Sequence, residues 1–144
     1  MTRRCHRAAG LRRREGTSTV EMAIVLPLLL MLTFAIGEFG IAFTQWQTLT
    51  NAAREGARAG VVFRGPACNA ATVKTQIQQT VDTYVIASGL STGAVTTTSN
   101  GECLGTGNPL TVNASAPYQF QMLPGLTGMG SLVTLSATSV MRNE

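Results

Sequence analysis

Imidazole is nearly absent from this sequence: the single histidine, His6, lies in an arginine-rich head. The rest of the chain therefore has no histidine for a general base, a nucleophile–base pair or a metal site. Carboxylates are sparse as well, and Glu55, Asp82, Glu102 and Glu144 are scattered rather than paired, which removes the two-carboxylate arrangement of acid–base catalysis. No P-loop and no GxGxxG follows a candidate strand. These absences exclude the common enzyme constellations, and the chain is expected to be a non-enzyme with no cofactor and no metal.

Charge is scarce, at 12% of 144 residues, against 44% hydrophobic, which leaves room for one small domain beside a long apolar run. A net charge of +4 and a pI near 9.5 alone suggest nucleic acid or acidic lipid as a partner. The distribution removes that suggestion. Arg3, Arg4, Arg7, Arg12, Arg13 and Arg14 against Glu15 give residues 1–16 a charge of +5 and leave the remainder at −1. Arginines directly before an apolar run follow the positive-inside rule, so the N-terminus is expected in the cytoplasm and the C-terminal part translocated.

Cysteine is rare too: Cys5 in the head, and Cys68 and Cys103 in the part expected to be exported. Thiols oxidise in that compartment, so a Cys68–Cys103 bridge is the expected state, with two unrelated buried thiols as the alternative. Closing a loop of that length restricts the unfolded chain by roughly 4 kcal/mol.

What the sequence does have is RREGTSTVEMAIVLPLLLMLTFAIGEF, Arg13 to Phe39, with no charge from Met22 to Gly37 and a carboxylate, Glu21 or Glu38, near each end. A charge inside a membrane span costs about 2.5–3.5 kcal/mol even on lenient insertion scales. As a helix, Val20 to Trp46 covers about 40 Å, enough for a bilayer with its interfaces. Glu21 then lies near the inner interface and Glu38 about 25 Å further on, near the outer one, where Trp46 also fits. Glu38 either bonds a partner helix or is wetted at that interface, the second being preferred. Pro27 is tolerated in a membrane helix when neighbours satisfy the freed carbonyl. The helical pattern continues through QTLTNAAREGARAGVVF, where Ala52, Gly56 and Gly60 form a small-residue stripe that another backbone can approach closely, or else the glycines mark a fraying end.

Arg64, Gly65 and Pro66 break the pattern, and Asn69 is placed to cap a second helix with Val73, Ile77, Val81, Tyr84 and Val85 on one side, ended by Gly89. Strands are expected near 94–99, 110–120 and 131–141. The linker QMLPGLTGMG is apolar enough to touch a membrane surface or another subunit, unless it folds onto its own sheet. The expected fold class is α+β: a long N-terminal transmembrane helix continuing into a small domain with a second helix and a short antiparallel sheet covered on one side by the helices.

Gly16 followed by TSTVE, with Glu21 fifth after the glycine and an apolar helix starting there, resembles the processing site of type IV prepilins and pseudopilins. The wider pattern of Val20-Glu21-Met22-Ala23, Leu26-Pro27-Leu28, Glu38 and Asn51-Ala52-Ala53-Arg54-Glu55-Gly56-Ala57-Arg58 resembles the TadE-like proteins, minor pilins or pseudopilins of the tight-adherence (Flp) pilus system. Met22 departs from the aromatic residue more usual there. The resemblance implies a pilin-like fold, a basic leader at 1–16 cut after Gly16 by a prepilin peptidase, a transmembrane and extended helix at 17–63, and a small exported domain at 64–144. It implies Thr17 as the new N-terminus and Glu21 as a docking carboxylate facing a neighbour's ammonium group. The implied partners are the peptidase, other pilins, the Tad inner-membrane assembly machinery and the lipid bilayer.

Two other readings stand beside it. In one, the helix is an uncleaved tether for an envelope binding module. In the other, the apolar run is a secretory signal cut near Ala35 and Gly37, although it is longer than a usual signal core.

Overall fold

The computed structural model describes residues 12–62, 68–89, 95–120 and 132–144, with side chains from residue 16 onward except that of Leu132. The first eleven residues, the Arg64–Pro66 break and the apolar linker from Gln121 to Gly130 lie outside the described residues.

Helix α1 runs unbroken from Arg12 to Gly60, 49 residues, through Pro27. That is about 73 Å at 1.5 Å per residue. Its threonines turn their hydroxyls back onto the preceding turn, Thr33 to the Leu29 carbonyl at 2.8 Å and Thr44 to that of Gly40 at 2.9 Å, which hides polar groups inside an apolar helix. Helix α2, Ala70–Ala87, starts where the Asn69 side chain accepts the Ala71 N–H at 3.0 Å. It buries Val73, Ile77, Val81 and Val85, one residue per turn. Gly89, at φ +80°, follows its end as the left-handed residue that stops a helix.

Three antiparallel strands complete the fold in the order β1-β2-β3: β1 Thr96–Asn100, β2 Pro109–Gln119 and β3 Leu132–Arg142. Strand β2 alternates strictly, with Leu110, Val112, Ala114, Ala116 and Tyr118 buried. Its other face pairs Asn113 with Thr138, whose side chains share a 2.8 Å hydrogen bond in the open. Among the described residues the helices cover one face of the sheet, as the patterning predicts.

The small residues of α1 decide how closely the rest packs. Gly56 and Gly60 are buried, and a Cβ on Gly56 would come within 2.7 Å of Val81 Cγ2. A Cβ on Gly60 would meet Leu110 Cδ2 at 2.5 Å and Ile77 Cδ1 at 2.8 Å. The stripe is thus filled from within the chain, by α2 and β2, and the glycines are not a fraying end. Helix α2 runs antiparallel to α1 along it, and β2 runs back down α1 from Gly60 towards Glu38. The resulting core joins Leu49, Ala52, Ala53 and Ala57 to the apolar faces of α2 and β2. Each fully buried Leu, Ile or Val there contributes about 1.5–3 kcal/mol.

The Cys68–Cys103 disulfide is present, its Cα atoms 5.7 Å apart. It ties the entrance of α2 to the β1–β2 connection. Beside it Gly101, buried at φ +98°, has no space for a Cβ against the Pro109 carbonyl, and the Asn143 amide donates to the Gly101 carbonyl at 3.0 Å.

Candidate functional site

Helix α1 has two halves with opposite surroundings. From Gly16 to Gly37 every side chain is exposed except the half-buried Ala35, although the segment is almost wholly apolar. From Glu38 onward one side of the helix is covered, with Leu49, Ala52, Ala53 and Ala57 at zero exposure. The helix is long and apolar enough to cross a membrane, and none of its apolar window is buried in the protein, which separates it from the core helix of a soluble domain. The chain is therefore read as membrane-anchored. The bare stretch from Val20 to Gly37 is about 27 Å long, close to the thickness of the hydrocarbon core.

At the lower end of that helix Gly16, Thr17 and Glu21 are all exposed, on continuous helix and, among the described residues, with nothing packed against Gly16. A protein that handles this segment meets the glycine and the carboxylate directly.

At the upper end the chain is closed up. Glu38 is 3% exposed, so the preferred reading of a wetted carboxylate is corrected: the end of β2 lies over it. Tyr118 Oη donates to the main-chain carbonyl of Glu38 at 3.3 Å. Burial first, and then the neighbouring Glu38 charge, pushes the Tyr118 hydroxyl above its ordinary pKa. Phe120 packs edge-on to Tyr118, ring centroids 5.1 Å apart. Eight residues above Glu38, Trp46 Nε1 donates to the Ser136 carbonyl at 3.2 Å, a second link between α1 and the sheet. Phe39 stacks on Phe43, and Phe43 leans on Trp46, with centroids 6.5 and 5.9 Å apart.

Glu21 and Glu38 are not brought together: one is exposed at the foot of the helix and the other sheltered beneath the sheet. Cys68 and Cys103 are brought together, and Ala52, Gly56 and Gly60 form the seat of α2 and β2. The sequence places Phe39 and Phe43 in the apolar run of the helix but gives no role to Tyr118. The alternation of LTVNASAPY does place Tyr118 on the buried face of its strand, but nothing local says which turn of α1 it meets. Among the described residues no group of three or more His, Cys, Asp or Glu is placed to hold a metal. The geometry offers packing surfaces along the upper half of α1 and an exposed segment from Gly16 to Glu21.

A bare apolar helix with a small disulfide-closed α+β head defines a membrane-anchored, pilin-like architecture. A family model described as TadE-like protein matches residues 16–58, so that segment is similar to the TadE-like family and the resemblance read from its residues holds. The match begins at Gly16 and covers the bare half of α1 and most of the packed half. No curated protein and no solved structure matches the chain.

Proposed function

We propose that this chain is a minor pilin or pseudopilin of the tight-adherence pilus, a structural component and not a catalyst. The observation that carries this reading is the coincidence of three boundaries. The family match starts at Gly16, the arginine head ends there, and the exposed apolar helix follows at once.

In this reading a prepilin peptidase of the inner membrane cuts between Gly16 and Thr17, and the Thr17 amine becomes a free ammonium group. Glu21 of one subunit pairs with the Thr17 ammonium of its neighbour, which offsets the cost of holding either charge among apolar helices. The arginine head stays in the cytoplasm, and the domain with its disulfide stands on the far side, where cysteines oxidise. Other pilins and the Tad assembly machinery are the partners.

The test is the intact mass and N-terminal residue of the chain purified from its host membrane, beside a Gly16→Ala variant. A wild-type chain beginning at Thr17 with the variant uncut is the expected result. A wild-type chain that keeps residues 1–16 would overturn processing and leave a tethered binding module, and a start near Glu38 would mean a cleaved secretory signal.

A further inference from the structure

We propose that the outer headgroup layer of the bilayer covers α1 from Phe39 to Trp46, so that the lower end of the sheet stands on the membrane instead of being held clear of it. The inference rests on the anchor reading of α1.

The apolar surface of the bare half does not stop where the domain begins. Leu32, Ile36, Phe39, Phe43 and Trp46 follow one another at steps of three or four along one side of the helix, and all are exposed, Phe39 at 70%. Ile41, on the opposite side, is 53% exposed. A docked helix is met by one stripe, whereas exposed apolar residues on opposite sides of a helix suit lipid. The change above Trp46 is abrupt. The next exposed side chains are Gln47, Asn51, Arg54, Glu55 and Arg58.

Depth agrees with this. A hydrocarbon core of about 30 Å takes about 20 helical residues, so a core entered at Val20 is left near Phe39. Phe43 then lies about 6 Å and Trp46 about 10 Å above that level, against an interfacial layer roughly 5–8 Å thick, and the usual tilt of a membrane helix lowers both a little. Aromatic rings favour that layer. Trp46 suits it further, because its N–H is already satisfied by the Ser136 carbonyl and its ring is left 42% exposed.

The same depth accounts for Glu38. It lies where hydrocarbon gives way to headgroups, a costly place for a carboxylate facing lipid. The end of β2 shelters it, and its neighbour Phe39 is what the bilayer meets.

Trp46 is the chain's only tryptophan, so it reports this directly. The full chain is reconstituted in phosphatidylcholine vesicles, floated to establish anchoring, and its fluorescence read with bromine carried at graded depths on the acyl chains. The expected result is blue-shifted emission, lost most strongly to bromine nearest the glycerol end. Floated protein whose Trp46 is untouched by every brominated lipid and quenched by acrylamide from water overturns the proposal and leaves the anchor intact. Shielding from both quenchers, relieved on dilution with lipid, overturns it in favour of a second copy. Strongest loss to the deepest bromine overturns it by placing Trp46 in the core. Failure to float overturns the anchor reading together with it.

Discussion

Tyr118 and Glu38, 80 residues apart in the chain, meet where the bare and covered halves of α1 join, the tyrosine hydroxyl donating to the glutamate's main-chain carbonyl. This bond marks how far down the helix the sheet reaches. It also places a group whose neutral form is favoured against a buried carboxylate, so the junction is sensitive to alkali.

Tyr118→Phe removes the bond and is expected to cost about 1 kcal/mol, the usual net worth of a hydrogen bond. The pH dependence has a definite sign. The folded state raises the Tyr118 pKa, so its contribution is full below the ordinary tyrosine value, near 10, and is lost as pH rises through the folded value. Wild type should therefore lose stability in alkali faster than Tyr118→Phe. Thermal melts of the two in detergent from neutral pH into alkali check this, and parallel curves would remove the Tyr118 account.

Gly56→Leu should separate α1 from α2. A Cβ already meets Val81 at 2.7 Å and Ile77 Cγ2 at 3.3 Å, and the rest of a leucine has nowhere to go. Overpacking of this kind costs about 1–3 kcal/mol, more than the roughly 1 kcal/mol gained by replacing a helical glycine. Urea unfolding of the detergent-solubilised chain reads the difference. If Gly56 were needed only for contact with another subunit, the variant would be as stable as wild type and fail only in assembly.

Cys103→Ser opens a loop whose ends are 35 residues apart. The chain-entropy relation gives about 4 kcal/mol for that length, a large share of the 5–15 kcal/mol of a typical domain. The variant should melt lower than wild type, and dithiothreitol should lower wild type but leave the variant unchanged. Wild type that is indifferent to reductant would argue against a structural role for the bridge.

Much of this architecture was readable from local pattern. The alternation from Leu110 to Tyr118, the four-residue spacing from Val73 to Val85 and the cap at Asn69 are each set within a few neighbouring residues, and each appears where the pattern puts it. The strand expected near 94–99 is displaced slightly, to Thr96–Asn100, because pairing with Thr111 to Ser115 defines its ends. Burial of Glu38 was not readable. It depends on how far β2 slides along α1, and that register comes from contacts across the whole domain: Leu110 against Gly60 at one end and Tyr118 against Glu38 at the other. The small-residue stripe was intermediate, since Ala52, Gly56 and Gly60 announce a close approach without saying whose. The proposed processing segment stands apart, because a peptidase cutting after Gly16 would read Gly16, Thr17 and Glu21 as a linear motif that no tertiary contact has to assemble.

Glu21→Gln separates docking from mere solvation. The amide keeps the size and hydrogen-bonding reach of the side chain but removes the charge, so a carboxylate that only reaches the inner headgroups is replaced with little consequence. A carboxylate paired with a neighbour's Thr17 ammonium is not, because the ammonium then faces apolar helices with no counter-charge. Losing one partner of a buried ion pair costs about 3–5 kcal/mol. The expected outcome is a variant that still reaches the membrane but is lost from the pilus-associated fraction, measured by immunoblot of sheared and membrane fractions beside wild type. Retention of the amide variant at the wild-type level would end the docking role of Glu21 and leave anchoring to the apolar helix alone.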